Sequence, residues 1–349
     1  MTPASGAAER RESRKTIGQI AEFAGVSIAT VSRVVNGRSG VSAEKREAVQ
    51  RVIREHAYSP TLGARSLSAG RTGLVGVTLP VIQSSCFSRI VGGMAEALQE
   101  RDLHVVLCPT QHQHDREVSV LERVMHGSTD GGLLVLPEES MDELRTLLNH
   151  GFRFVVVDPL EPVDPDIPAV SAAHASGAYE AVKFLLGLGH RRIAAITGPA
   201  GWVATEQRLR GYDAALASAG ILTDPELVVG SNFTFEGGIR AAATLLDLPV
   251  RPTAIFAFND SLAIGAMHEA RSRGLRLPRQ LSVVGFDDAG EAAIVTPALT
   301  TVRQPLWEMG RMAVSLLTRQ LESQRLEALH VELATRLVVR ESAVRPSGR

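Results

Sequence analysis

The stretch that decides the N-terminal fold is residues 16–36, TIGQIAEFAGVSIATVSRVVN. Thr16 and Gln19 have the spacing of a capping box, in which the two side chains bind free backbone amides at the start of a helix. Gly25 follows and favours a helix end, because glycine adopts a positive φ at low cost. Ser27 is then a typical N-cap for a second helix. Two helices joined by a tight turn are predicted, which is the helix-turn-helix arrangement.

The second predicted helix has two unlike faces. At about 100° per residue, one arc is apolar and can pack on the first helix; it contains Val31, Val34 and Val35. The opposite arc has small or hydroxyl side chains, one isoleucine, one arginine and no acid; it contains Ile28, Ala29, Thr30, Ser32 and Arg33. Small side chains permit close approach, hydroxyls can bind phosphate oxygens, and arginine can bind guanine O6 and N7. The sequence therefore predicts a DNA-contact face, with a plain three-helix bundle as the alternative.

A third helix is predicted to complete a headpiece over residues 16–60. It begins at the N-cap Ser42, and its buried side chains are predicted to be Val49, Val52 and Ile53, with Tyr58 closing the bundle. Residues 1–15 are polar and are predicted to form a disordered tail.

The net charge of −1 over 349 residues hides an uneven distribution. Residues 1–75 hold 12 basic and 6 acidic residues, whereas the remainder holds 25 and 32. A basic N-terminal region on an acidic body is typical of a nucleic-acid-binding module, although a solvated basic tail gives the same balance.

The chain has the marks expected of a cytoplasmic, nucleoid-associated protein. Its two cysteines, Cys86 and Cys108, form no CxxC pair, which fits a reducing compartment. Residues 1–15 lack the apolar core of a secretory signal, and no uninterrupted apolar run has the length of a membrane span.

From Leu74 onwards the pattern changes to apolar strand, turn and amphipathic helix. Strands are predicted near 74–79, 104–108, 132–136, 154–157, 193–197, 254–258 and 281–285. Strand–helix alternation favours parallel sheets with helices on both faces. The Pro- and Asp-rich segment 159–168 favours two lobes with a boundary there, and the chain is expected to cross back near 289–300. This domain is predicted to span 73–345, joined to the headpiece by a hinge at 61–72.

Several segments, in order along the chain, resemble the lac-repressor (LacI/GalR) family of transcriptional regulators. They are TIGQIAEFAGVSIATVSRVVN (16–36), VSAEKREAVQRVIREHAYSP (41–60), TLGARSLSAGRTGLVGV (61–77), HRRIAAITGP (190–199), RLRGYDAAL (208–216), AIFAFNDSLAIGAM (254–267), LSVVGFDD (281–288) and PALTTVRQP (297–305). The resemblance implies an all-α helix-turn-helix headpiece plus an α/β two-lobed, periplasmic-binding-protein-like effector domain with parallel sheets. It also implies a homodimeric repressor that binds a palindromic double-stranded operator and responds to a small-molecule effector, most simply a sugar that acts as inducer.

The resemblance assigns DNA contacts to the headpiece and the hinge. Ile28 and Ala29 match the main sequence-reading pair, and Arg33 matches a base contact. Backbone or neighbouring-base contacts fall on Thr16, Ser27, Thr30, Ser32 and Asn36. In the hinge, three residues match a short helix that enters the minor groove in the family; they are Ala64, Arg65 and Leu67. The leucine is the residue expected to wedge between base pairs. We expect this hinge to be disordered away from DNA, because a glycine-containing segment is a poor isolated helix; a passive linker is the alternative.

Polar residues that follow predicted strands form the candidate effector site, because ligands bind at the carboxyl ends of strands in open α/β sheets. By resemblance, the central ligand-binding set is Arg208, Asn259 and Asp287, and Phe233 holds the stacking position. Further pocket residues are Phe87, Asp158, Trp202 and Gln304. The neighbouring Asp260 and Asp288 are expected to cap helices instead. Where many family members have an Asp-Asn pair, this chain has Ala173-His174, so one polar contact is expected to be lost.

Other chemistry finds little support in the sequence. The cluster His112-x-His114-Asp115 lacks a third metal ligand at definable spacing, so neither a metal nor a cofactor is expected. No nucleophile motif is present, and the chain is not expected to be an enzyme. Two alternatives remain open, a nucleoside- or purine-type regulator in which the ligand acts as corepressor, and a solute-binding protein without a regulatory role.

Overall fold

The computed structural model describes residues 15–35, 39–56, 58, 71–121 and 128–346. The chain divides into two compact units at Gly73–Leu74. The first unit is helical and the second is α/β. The predicted tail, apart from Lys15, and the predicted hinge, apart from residues 71–72, lie outside the described residues.

The first unit contains the three predicted helices, α1 (Ile17–Phe23), α2 (Ile28–Val35) and α3 (Ala43–Glu55). The capping box is present, since Thr16 Oγ1 accepts from Gln19 N at 3.3 Å and Gln19 Oε1 accepts from Thr16 N at 2.9 Å. Gly25 adopts a φ of +65° at the turn. The helices share a small core that contains Ile20, Ala21, Val31, Val34, Val49 and Val52, with Ile53 and Tyr58 packed against it.

The second unit consists of two six-stranded sheets with helices on both faces. The strands are β1 (Leu74–Leu79), β2 (His104–Pro109), β3 (Gly131–Val135), β4 (Phe154–Val157), β5 (Ala169–Ala172), β6 (Ile193–Ile196), β7 (Val228–Val229), β8 (Ala254–Ala257), β9 (Ser282–Asp287), β10 (Thr300–Arg303), β11 (His330–Leu333) and β12 (Arg336–Val338). The helices are α4 (Ser85–Gln99), α5 (His114–Val120), α6 (Met141–Asn149), α7 (His174–Gly187), α8 (Val203–Ser218), α9 (Phe235–Leu246), α10 (Asp260–Ser272), α11 (Gly290–Ile294) and α12 (Leu306–Leu321).

Each sheet forms one lobe. The first has the strand order β11-β5-β4-β3-β1-β2 and the second β12-β10-β9-β8-β6-β7. All pairings are parallel except the antiparallel pair of β10 and β12. In the first lobe, α4 and α12 pack on one face and α6 on the other; in the second, α9 and α10 face α7 and α8 across the sheet.

The lobe boundaries differ from those predicted from the sequence. The segment 159–168 connects β4 to β5, two neighbours in the first sheet, so the chain crosses only after Ala172. It crosses back after Arg303, because β10 still belongs to the second sheet. A third crossing, which was not predicted, lies between β11 and β12. The Pro- and Asp-rich composition marked a loop within one sheet and not a domain boundary.

None of the helices in the described ranges combines the length and the apolar character needed to cross a bilayer.

Candidate functional site

The two faces of α2 have the burial that the sequence predicts. Val31 is fully buried and Val34 is 7% exposed, so both pack into the headpiece core. On the other side, Ile28 is 55% exposed, and Ala29 and Arg33 are also exposed. An exposed isoleucine next to small side chains, with no acid in the helix, is a surface suited to close contact with base edges.

Three of the hydroxyl groups assigned to DNA contacts also have roles within the headpiece. Ser27 Oγ caps α2 by accepting from Thr30 N at 3.2 Å, and it lies 2.9 Å from Thr30 Oγ1. Thr16 Oγ1 caps α1. These groups hold the helix starts in place as well as facing outward. The remaining candidates Asn36, Ala64, Arg65 and Leu67 lie outside the described residues.

A cleft of about 650 Å³ lies between the two lobes of the second unit. It is lined by segments that follow β1, β3 and β4 in the first lobe, and β6, β7, β8 and β9 in the second. All eight effector residues predicted from the sequence line this cleft, namely Phe87, Asp158, Trp202, Arg208, Phe233, Asn259, Asp287 and Gln304. The structure therefore brings the candidate set together at the carboxyl ends of both sheets.

Arg208 lies at the centre of this set. It is 4% exposed, and its Nη1 donates to Phe258 O. Its Nη2 lies 3.8 Å from Asp287 Oδ1, and its guanidinium stacks 4.0 Å from the centroid of the Phe286 ring. Burial lowers the pKa of Arg208, while the nearby charge of Asp287 opposes that shift. Its Nε has no hydrogen-bond partner in this structure.

Two carboxylates flank Arg208 and differ in their proton affinity. Burial raises the pKa of Asp287, although the charge of Arg208 and a 2.6 Å hydrogen bond donated by Gln304 Nε2 act to lower it. Burial also acts on Asp158, but its contact with His174, together with the charge of Arg208, holds the pKa of Asp158 below the usual value. The cleft thus presents one cation between two acceptors.

His174 belongs to the polar network of the cleft although the sequence did not predict it as a site residue. The imidazole is 4% exposed; its Nε2 lies 2.8 Å from Asp158 Oδ1 and its Nδ1 3.3 Å from Arg208 Nη2. The sequence interpretation of Ala173-His174 as the loss of a polar contact did not anticipate that His174 makes two buried polar contacts behind the cleft wall. The only available signal was a histidine at the start of a helix that follows a strand.

Aromatic rings form one wall of the cleft. The rings of Trp202 and Phe233 lie 5.8 Å apart at 40°, and Phe233 also lies 5.8 Å from the Arg208 guanidinium. Gly198 permits this arrangement, because a Cβ there would lie 2.0 Å from the Phe233 ring. An aromatic wall opposite charged groups suits a ligand with both C–H and hydroxyl groups.

Several lining residues have left-handed backbone conformations. Their φ angles are +48° at Leu136, +54° at Asp158, +61° at Phe233 and +116° at Asp287. Such conformations are costly for residues with a side chain and concentrate at functional sites. Three of these positions carry predicted effector residues. At these positions a strained backbone conformation directs the side chain into the cleft.

The helix-capping roles predicted for Asp260 and Asp288 are wrong. Asn259, and not Asp260, caps α10, since Asn259 Oδ1 accepts from Leu262 N at 2.8 Å. Asp260 instead accepts from Thr301 Oγ1 at 2.5 Å and from Ala289 N at 2.7 Å. Asn259 Nδ2 donates to Phe233 O at 3.1 Å, which leaves one N–H and one lone pair of its amide for a ligand.

Asp288 also has a different role from the predicted cap. It accepts from Arg303 Nε and, at 2.5 Å, from Arg340 Nη2. Burial alone would raise the pKa of Asp288, but the pairing with the two arginines lowers it. Asp288 therefore ties β9 to β10 and to the C-terminal segment, and does not cap α11.

Both histidines of the His112-x-His114-Asp115 cluster lie beside glutamate side chains. His112 lines the cleft and lies 3.0 Å from Glu138 Oε1, while His114 Nε2 lies 3.1 Å from Glu143 Oε1. Among the residues that the structure describes, no group of three or more His, Cys, Asp or Glu side chains is placed to hold a metal ion.

Comparison with known proteins identifies the family. Residues 16–61 match the family described as bacterial regulatory proteins, lacI family, and residues 182–343 match a periplasmic binding protein-like domain. The HTH-type transcriptional repressor CytR of Escherichia coli K12 is 34% identical over 346 residues, 98% of each chain. The chain belongs to the LacI family.

Two solved structures that cover 95% of this chain have a similar fold. The lac repressor dimer bound to operator and the anti-inducer ONPF has a TM-score of 0.84 and 26% identity, covering 95% of this chain and 100% of that one. The complex of the regulator CelR with cellobiose has a TM-score of 0.73 and 33% identity over the same shares. The predicted fold class is confirmed, and this LacI-family chain is a DNA-binding transcriptional regulator.

Proposed function

We propose that this LacI-family regulator is a repressor whose operator affinity falls when a neutral sugar binds in the cleft between the lobes. The observation that carries the proposal is the position of Arg208, which lies between Asp158 and Asp287 and beside the aromatic wall of Trp202 and Phe233. CelR, a relative of similar fold, is described in complex with a sugar, cellobiose.

The polar groups of the cleft complement a polyol. A sugar hydroxyl is both donor and acceptor, so it can bind a carboxylate and a guanidinium at once. Asp158 and Asp287 supply acceptors and Arg208 supplies donors, while Gln304 Oε1 has no partner in this structure. The apolar faces of a sugar ring would pack against Phe233 and Trp202.

The charge of the cleft favours a neutral ligand over a phosphorylated one. Arg208 already has two carboxylates nearby, and Asp260 and Glu291 also line the cleft. A phosphate would add two negative charges to this site, and the described residues that line it include no arginine or lysine besides Arg208 to balance them.

A nucleoside is the second candidate. The Trp202–Phe233 pair offers a surface on which a flat base could stack, and the ribose could occupy the polar end. In that case the ligand would act as a corepressor, and operator affinity would rise on binding.

The DNA-contact face is proposed to be that of α2. Ile28 and Ala29 would contact base edges, Arg33 a guanine, and Thr16, Ser27, Thr30 and Ser32 the backbone or neighbouring bases. Asn36 and the hinge residues Ala64, Arg65 and Leu67 would add contacts in the operator complex. A homodimer would place one such face on each half of a palindrome. We also propose that the protein acts in the cytoplasm and without turnover of its ligand; its relative CytR is named as a repressor.

The proposal is tested in two steps. First, duplexes bound by the full-length protein are selected from a random library, and the affinity for the selected operator is measured by fluorescence anisotropy. Second, D-ribose, D-glucose, cellobiose, glucose 6-phosphate and adenosine are screened by thermal shift, and each stabilising compound is added to the operator titration. We expect a neutral sugar to stabilise the protein and to weaken operator binding, and glucose 6-phosphate to do neither. Absence of any selected sequence, or operator binding that is strengthened by the stabilising compound, would contradict the inducible-repressor proposal.

A further inference from the structure

A buried histidine connects the two charged walls of the cleft. His174 is the first residue of α7, directly after the crossing from the first lobe to the second. Its ring contacts Asp158, which follows β4 of the first lobe, and Arg208 on α8 of the second lobe. It is not among the residues that line the cleft, so it acts on a ligand only through these two side chains.

The geometry of the two contacts defines the protonation of the imidazole. A guanidinium N–H can only donate, so Nδ1 of His174, 3.3 Å from Arg208 Nη2, must accept. Nε2 therefore carries the proton and donates to Asp158 Oδ1 at 2.8 Å. A doubly protonated ring would direct an N–H toward the guanidinium and lose the second contact.

We propose that His174 is a positioning residue of the effector cleft, which as the neutral Nε2–H tautomer holds Arg208 and Asp158 in the orientation that binds the ligand. This inference rests on the proposed function, because it concerns the same cleft. His174 belongs to the second lobe and orients Asp158, an acceptor of the first lobe. The ligand therefore binds to a pair of groups that are already in position.

The groups around His174 fix the orientation of its ring. Asp158 and Arg208 contact it directly; Asp287 lies on the far side of Arg208, within electrostatic reach. The Phe286 ring packs 6.0 Å from the imidazole.

Three variants separate the two contacts. In His174→Leu both hydrogen bonds are absent, and we expect the affinity for the sugar identified by the thermal-shift screen to fall about 10- to 100-fold, the cost of hydrogen bonds to charged groups. His174→Asn places an amide oxygen near the position of Nδ1, and His174→Gln an amide nitrogen near the position of Nε2. We expect each amide to recover part of the loss.

The matched control is His190→Gln. His190 is also a buried histidine with two hydrogen bonds, to Thr253 Oγ1 at 2.8 Å and Val344 O at 2.9 Å, but it does not line or contact the cleft. His190→Gln should lower thermal stability without changing sugar affinity. Calorimetric titrations at pH 7.5 compare the sugar affinity of the wild type, the three His174 variants and His190→Gln.

A ligand-free measurement tests the tautomer directly. Long-range ¹H–¹⁵N correlation of the wild-type protein, with the His174 signals assigned by their loss in His174→Gln, should show a protonated Nε2 and an unprotonated Nδ1 at pH 7.5. A protonated Nδ1, or unchanged sugar affinity in a folded His174→Leu protein, would overturn the inference while leaving the proposed function intact. If none of the screened compounds binds, the proposed function fails and the tautomer measurement alone decides the role of His174.

Discussion

Arg33 lies in the last turn of α2, on the exposed side of the helix. We expect Arg33→Ala to weaken binding to the selected operator by about 1–3 kcal/mol and to relax the preference at one base position, because a bidentate arginine–guanine pair is removed. Anisotropy titrations with single-base operator variants measure both effects. Arg210→Ala, an exposed arginine of the second unit, is the control and should leave the affinity unchanged. If the base preference of Arg33→Ala were that of the wild type, the placement of α2 in the groove would be wrong.

Glu139 is a buried acid in the loop after β3, away from the Arg208 network. It is 6% exposed, and neither carboxylate oxygen has a hydrogen-bond partner in this structure. Burial, together with the charge of nearby Glu117, raises the pKa of Glu139 to about 8. Glu139 therefore stays protonated in the folded protein up to about pH 8, whereas in the unfolded chain it loses its proton near the ordinary pKa of a glutamate.

We expect Glu139→Gln to be more stable than the wild type at pH 8 and equal to it near pH 4.5. Between these values the unfolded chain binds fewer protons than the folded protein, so wild-type stability falls as pH rises and the neutral glutamine avoids the loss. The difference should reach about 2–4 kcal/mol at pH 8, measured by urea unfolding at pH 5, 6.5 and 8. Glu180→Gln, at an exposed position, should show no such pH dependence. A constant difference across the series would argue against a protonated Glu139.

Sequence patterns located the lining of the cleft but not the support behind it. Arg208, Asp158 and Asp287 could be predicted because each ends a strand, follows one or lies in the first two turns of the helix after one, where side chains reach a ligand. His174 could not, because its role depends on two residues that are 16 and 34 positions away in sequence. The same limit explains Asp288, whose partner Arg340 is 52 positions away.

At the scale of elements, α4 and α12 pack unusually closely. Gly310 permits this approach, because a Cβ there would lie 2.1 Å from the carbonyl oxygen of Ile90. Trp307, one turn earlier, approaches Gly93 in the same way, because a Cβ at Gly93 would lie 2.1 Å from the carbonyl oxygen of Trp307. The contact involves backbone atoms, which cannot move aside as a flexible side chain can.

We expect Gly310→Ala to destabilise the protein by about 1–3 kcal/mol through overpacking, despite the higher helix propensity of alanine. Gly187→Ala is the matched control, since Gly187 also lies in a helix but has no atom within 4 Å of the added Cβ. That change should be neutral or stabilising by about 0.5–1 kcal/mol. Thermal and urea unfolding of both variants provide the comparison; equal stability of the two would show that the helices can separate at little cost.

The strands that were predicted and those that were missed differ in their surroundings. All seven predicted strands are found, and most are continuous buried runs such as β4 and β8. The missed strands are short or lie at or near a sheet edge. β11 alternates exposed His330 and Glu332 with half-buried Val331 and Leu333, because it pairs on one side only. Such an edge strand has the two-residue period of a half-buried surface, not the apolar run of a central parallel strand.

At the scale of the whole molecule, the ligand site and the DNA-contact face belong to different units. We expect Arg208→Ala to retain operator affinity and to lose the response to the stabilising sugar, because the coupling free energy between two sites disappears when one of them no longer binds. Operator titrations with and without the sugar measure this directly. Arg208→Lys keeps the charge but not the guanidinium fork, so a partial response is expected. A full response in both variants would remove Arg208 from the ligand site.

The interleaved path of the chain through the lobes also affects biosynthesis. The edge strand β11 of the first sheet and the edge strand β12 of the second both come from residues 330–338, and α12 returns to the first lobe only after β10. During translation, neither sheet can therefore be completed until residues 330–338 have left the ribosome. The short, locally connected headpiece emerges before both lobes and can fold while they still lack these strands. A stop codon that falls before residue 330 would consequently leave a DNA-binding unit attached to two unfinished sheets.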